Sequence, residues 1–129
     1  VRVGQVLPVL LGLMLLASSA AHQVTPEAFD GFIPDAIPGW FAHLVATVLE
    51  AGVGGLLLNP TTRRWGGLAF AGLMLGFLPM HVWDLFQAEP VIGPSPMPQI
   101  RLVMQFVLIG AGLAVWRLHD TDPTSVDVS

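Results

Sequence analysis

The chain of 129 residues has no cysteine, no tyrosine and no lysine. Without a thiol, disulfide exchange, thiolate catalysis and Cys-ligated zinc or iron–sulfur centres within the chain are excluded. Without tyrosine there is no tyrosyl proton relay. Charge is also scarce: 11% of residues are charged, where a soluble domain carries about a quarter. The five cations are Arg2, Arg63, Arg64, Arg101 and Arg117, and the formal charge is −4. So mild an acidic balance with no basic patch gives no reason to expect nucleic acid as a partner. What fills the chain instead is apolar: 53% of residues are hydrophobic and the mean hydropathy is +0.71. That composition belongs to a membrane class, with the lipid bilayer as the first partner.

Four apolar runs stand out, at about 6–21, 40–58, 65–82 and 100–116. Each lies near the short end of what a helix rising 1.5 Å per residue needs to cross a core of about 30 Å. The expected fold is all-α: an integral membrane bundle of four antiparallel transmembrane helices over 1–118, followed by a polar, frayed tail at 119–129. Turn formers separate the runs. Thr25-Pro26, Ile33-Pro34-Asp35 and Ile37-Pro38-Gly39 precede the second, and Asn59-Pro60 ends it. Thr61-Thr62 offers an N-cap to the third, and Gly93-Pro94-Ser95-Pro96 with Pro98 breaks the chain before the fourth. Gly72-x-x-x-Gly76 reads as a small-residue pair for close packing within the bundle, with a dedicated dimer face as the alternative.

Orientation follows from the arginines. With both termini in the cytoplasm of the cell (inner) membrane, Arg2, Arg63, Arg64 and Arg117 all lie inside, as the positive-inside rule requires. Trp40, Trp65, Trp83 and Trp116 then sit at span ends, as an interfacial belt. A second reading of the first run competes: Arg2, an apolar stretch and Ala17-Ser18-Ser19-Ala20-Ala21 also resemble a cleavable signal peptide. Cleavage would leave the other three spans oriented the same way.

One residue contradicts its surroundings. Glu50 lies within the second apolar run, where a carboxylate costs about 2.5–3.5 kcal/mol on insertion scales and marks a functional site by default. Helical side chains lean toward the amino end of their helix. In the expected topology Glu50 and Gln105 therefore lean outward, and His22 and His81 lean inward from the outer rim. These four converge on an outer-side pocket. His43, seven residues before Glu50, shares its helix face, while Trp83 and Asp84 complete the rim. Arg101 shares a face with Gln105 four residues on, but leans away from Glu50. Its expected partners are Asp84, Glu27 or Asp30.

The chemistry such a set supports is narrow. No nucleophile–base pair, phosphate loop or dinucleotide fingerprint is present, so no catalytic residue is assigned. Imidazole and carboxylate suit zinc or iron, yet there is no His-x-x-x-His or Glu-x-x-His spacing. Neither a metal nor bis-histidine haem on His22 and His81 is the expected cofactor. A structural alternative remains, in which a protonated Glu50 hydrogen-bonded across the bundle fixes helix register.

Several segments, taken in order, carry a family resemblance. They are Ala21-His22, Pro26-Glu27-Ala28-Phe29, Ile33-Pro34 and Ile37-Pro38, then Leu49-Glu50-Ala51-Gly52-Val53-Gly54-Gly55 and Asn59-Pro60-Thr61-Thr62-Arg63-Arg64. Phe77-Leu78-Pro79-Met80-His81 and Ile100-Arg101-Leu102-Val103-Met104-Gln105 complete them. Over about 5–118 the layout resembles the DoxX-like family of small four-span bacterial membrane proteins. That family takes its name from a subunit of a quinone-reducing thiosulfate oxidoreductase. The resemblance implies pattern positions at His22, Glu50, Pro79, Arg101 and Gln105. It departs at Met80-His81-Val82-Trp83-Asp84, where the commoner form has a small residue and Asn after the proline. It also implies that the first span is retained.

The expected function is an accessory or ligand-binding subunit in a redox pathway, contacting quinone or another redox subunit. In that scheme Glu50 exchanges protons while His22, His81, Arg101 and Gln105 orient the head group. The alternatives are a structural or assembly protein without a ligand and a small transporter of a lipid-soluble compound.

Overall fold

A computed structural model describes residues 2–120. It contains four long helices, α1 (Val3–Val24), α3 (Gly39–Leu58), α4 (Arg63–Leu85) and α5 (Met97–Leu118), and one single-turn helix, α2 (Glu27–Asp30). There is no strand among the described residues, and each long helix is long and apolar enough to cross a membrane. The expected tail falls, from 121 on, outside the described residues.

Every long helix extends beyond its apolar run, by up to three residues at an end. Hydropathy marks only the lipid-facing length, whereas backbone hydrogen bonding continues into the polar interface. Two expected breaks behave differently. Pro98 does not stop the chain; it lies in the first turn of α5, where an N–H has no intrahelical partner to lose. Thr62 occupies the N-cap position of α4 without a side-chain cap. Its hydroxyl donates instead to the Leu56 carbonyl at 2.8 Å. Arg63 donates to the Leu57 and Leu58 carbonyls at 3.1 and 3.3 Å. The turn therefore serves the open carbonyls at the end of α3.

Contacts run in opposite order along neighbouring helices. Gly12 meets Gly54 and Leu58, Ser18 bonds Glu50 and His22 bonds His43, so α1 and α3 are antiparallel. Gly67 meets Gly112 and Gln105 bonds the Met74 carbonyl at 2.5 Å, so α4 and α5 are antiparallel too. The two pairs join through α3–α4 and α1–α5 contacts. The start of α1, the end of α5 and the arginine turn share one end of the bundle: a Cβ at Gly4 would lie 3.9 Å from Leu118 and His119, Arg64 Nη2 lies 2.9 Å from Asp120 Oδ1, and its guanidinium covers the Trp65 and Trp116 rings.

Lipid tails offer no hydrophobic drive for helix association, so close packing must supply it. Gly67 and Gly112 bring α4 and α5 into backbone contact: a Cβ at either would meet the other's carbonyl oxygen at 2.7 Å. The expected pair, Gly72 and Gly76, takes no part. A Cβ there would meet nothing within 4 Å; the two face away from the bundle beside exposed Leu75. Spacing alone selects a face, not the neighbour that fills it.

Leu11, Leu15, Val53, Leu57, Phe70, Met74 and Val115 pack into an apolar core. It occupies the half of the bundle nearer the arginine turn. Toward the other end the same inward stripes turn polar, and the packing opens.

Candidate functional site

The opening is a cavity of about 720 Å³, mainly apolar in its walls. Leu15 and Met74 belong to both the core and the cavity wall. The 25–38 connection closes over it with Phe29, Phe32, Ile33 and Ile37, helped by Ile92 from the 86–96 connection. Gly31 holds the two connections together; a Cβ there would lie 2.9 Å from a Val91 methyl.

Asp84 anchors the second connection. It is 1% exposed, and its carboxylate accepts the Val91 and Ile92 backbone N–H groups at 2.6 and 3.2 Å. Asp84 is therefore not a rim residue and not a partner of Arg101. Trp83 is half-exposed on the outside of α4 and does not line the cavity either.

The polar wall comes from every long helix: Ser18 and His22 of α1, His43 and Glu50 of α3, His81 of α4 and Arg101 of α5. Glu50 is 4% exposed. Ser18 Oγ donates to its Oε1 at 3.1 Å, while Oε2 has no hydrogen-bond partner. The nearest cation candidate to Oε2 is His22 Nε2, at 3.6 Å. His22 Nδ1 faces His43 Nδ1 at 3.0 Å, and His43 Nε2 faces Asp30 Oδ1 at 2.8 Å. The Phe29 ring stacks on His22 with centroids 3.8 Å apart. Phe32 meets His81 edge-on at 5.8 Å.

His22, Glu50, His81 and Arg101 are thus brought to one cavity, and His43 stands among them rather than at its rim. Gln105 is fully buried and off the cavity wall. It accepts from Arg101 Nη1 at 2.7 Å and donates to the Met74 carbonyl at 2.5 Å. Arg101 therefore pairs with Gln105, and none of Asp84, Glu27 or Asp30 bridges it. The lean of Cα–Cβ sets only where a side chain starts. Three methylenes let the guanidinium fold back along its own helix.

Ser18, Phe29 and Asp30 are site residues that sequence reasoning did not assign there. A signal existed for Ser18, which lies one turn before His22 on the same face. Phe29 and Asp30 depend on the one-turn helix α2, too short to show a periodicity. Among the described residues no group of three His, Asp or Glu side chains is arranged to hold a metal ion.

Helices long enough to span a bilayer, together with a mainly apolar cavity carrying a few polar groups inside them, define a multi-pass membrane helical bundle in contact with lipid. Within that class, the chain belongs to the family described as a domain of unknown function (DUF8561), whose model matches residues 11–116. No curated protein and no solved structure matches it.

Proposed function

We propose that this protein is an accessory or ligand-binding subunit of a membrane redox pathway, taking a quinone into the cavity beneath the 25–38 connection. The observation that carries the reading is Glu50. A register lock would have both carboxyl oxygens engaged, yet Oε2 is buried without a hydrogen-bond partner beside a largely apolar cavity. Quinone carbonyls only accept hydrogen bonds, so a quinone site needs donors. Arg101 and His81 supply them around walls suited to a ring and an isoprenoid tail. Reduction adds protons to the quinone oxygens, for which Glu50 is the nearby carrier.

The same reading places the arginine-rich end in the cytoplasm of a bacterial inner membrane and relates the chain to the DoxX-like proteins. A second reading, a structural or assembly protein without ligand, draws on the inter-helix bonds from Ser19 and Gln23 to Thr47 at 3.0 Å each. The test is ubiquinone titration of the protein in lipid nanodiscs, with pH-indicator dye reporting proton uptake when an electrode supplies the two electrons of reduction. Wild type binds and takes up protons; Glu50→Gln keeps its helicity and loses the uptake. An unchanged titration and uptake in Glu50→Gln removes the proposal.

A further inference from the structure

Four side chains form a line from the surface to the buried acid. Asp30 on α2 is 59% exposed in its side chain, and its carboxylate is 2.8 Å from His43 Nε2. His43 Nδ1 is 3.0 Å from His22 Nδ1, and His22 Nε2 is 3.6 Å from Glu50 Oε2. Glu50 lies eleven residues after Gly39, the first residue of α3, which is about 16 Å along the helix at 1.5 Å per residue. A buried acid at that depth exchanges protons only through water or through side chains.

The order of atoms decides what this line can do. A neutral imidazole has one N–H donor and one bare acceptor nitrogen. If Asp30 is a carboxylate, His43 Nε2 must carry the hydrogen that it accepts. His43 Nδ1 is then bare and accepts from His22 Nδ1–H. His22 Nε2 is bare in turn and faces Glu50 Oε2, the oxygen with no other partner. The two hydrogen bonds fix each other's direction, and a hydrogen on Glu50 Oε2 would face the bare Nε2 across 3.6 Å, a gap that must shorten by several tenths of an ångström for transfer.

We propose that Asp30, His43, His22 and Glu50 form a proton relay linking the aqueous end of the bundle to the cavity. In the outward step Glu50 O–H gives its proton to His22 Nε2. His22 passes its Nδ1 proton to His43 Nδ1, and His43 passes its Nε2 proton to Asp30. Three O–H or N–H bonds break and three form. No electron moves, and the carboxylate charge shifts from Asp30 to Glu50. Afterwards both hydrogen bonds point the other way, with Asp30 O–H toward His43 and His43 Nδ1–H toward His22, and His22 Nε2–H faces Glu50 Oε2 across the 3.6 Å gap. The line is then set to return one proton inward, so it is a single-proton exchanger and not a channel.

The other charged or titratable groups on the cavity are His81 from α4 and Arg101 from α5. Arg101 is engaged with Gln105, and neither residue makes a hydrogen bond or ion pair with a member of the line. Phe29 stacks on His22 and lies 6.4 Å from the His43 ring centroid, which shields the two imidazoles. The relay stands without any ligand. It is independent of the quinone reading above.

The test uses the full chain in lipid nanodiscs with no quinone added, so it is separate from the ligand titration. Infrared difference spectroscopy after a pH jump follows the carboxyl band that Glu50→Gln removes. Asp30→Asn, which lies on the surface, slows the rise and decay of that band at least tenfold, and Asp30→Glu restores the rate. His43→Phe slows it as well. Nitrogen-15 spectra of histidine-labelled protein show a through-hydrogen-bond coupling between the Nδ1 atoms of His22 and His43. A Glu50 band that never responds to pH overturns the proposal. So does one that responds at the same rate in Asp30→Asn and His43→Phe, because water at the cavity mouth then carries the proton.

Discussion

Gly67→Ala is the substitution whose effect the geometry determines most directly. The added Cβ would sit 2.7 Å from the Gly112 carbonyl oxygen and 2.8 Å from the Trp116 nitrogen and the Val115 Cβ. Two of these three are backbone atoms, which no rotamer change can move. Ordinary contact begins at 3.4 Å, so α4 and α5 must part by several tenths of an ångström. The separation also loosens Phe70 and Val115, which are fully buried at this crossing. Overpacking of that kind costs about 1–3 kcal/mol. Gly72→Ala is the matched control on the same helix, since its Cβ meets nothing within 4 Å. There the helix propensity of alanine contributes up to about 1 kcal/mol in the opposite direction. Reversible unfolding in mixed micelles of increasing dodecyl sulfate content, followed by circular dichroism, measures both. The expected result is a loss for Gly67→Ala and no loss for Gly72→Ala. Equal losses at the two positions would refute the assigned helix packing.

Three further outcomes follow from the site. Gln105→Leu leaves the Arg101 guanidinium without its described hydrogen-bond acceptor inside the bundle, for an expected loss of about 1.5–3 kcal/mol by the same unfolding assay. Asp84→Ala frees the Val91 and Ile92 N–H groups, so their hydrogen exchange quickens by at least tenfold while exchange in α1 is unchanged. Glu50→Leu removes a carboxyl from the apolar interior and leaves Ser18 free to bond its own helix backbone. It unfolds at the same or higher detergent fraction than wild type, whereas a register-locking Glu50 would make it markedly weaker.

The four helices were legible because bilayer thickness, apolar run length and arginine placement all constrain the same segments. Their ends were less so, since hydropathy falls at the interface while the helical hydrogen bonds continue through Val3, Leu85 and Met97. The convergence of His22, Glu50 and His81 was readable from helix direction and side-chain lean, both properties of the backbone. Arg101 escaped that reasoning because a long side chain can reverse its initial direction and meet Gln105. Asp84 escaped it because an acid at a span end looks like a rim group. Its partners are backbone N–H groups seven and eight residues further on, which no side-chain pattern marks. The Asp30–His43–His22 line depends on α2, whose four residues are fixed by what they touch rather than by their own propensity.

The central claim is that the space around Glu50 is a quinone pocket rather than a gap between helices. Photolabelling in native membranes with an azido-ubiquinone, followed by peptide mass spectrometry, tests it most directly. The account predicts adducts on cavity residues such as Phe29, Phe32, Phe77 and Met104, suppressed by excess unlabelled ubiquinone and reduced in Arg101→Met. Adducts confined to lipid-facing positions such as Leu13, Val48 and Phe106, with no competition, would contradict it.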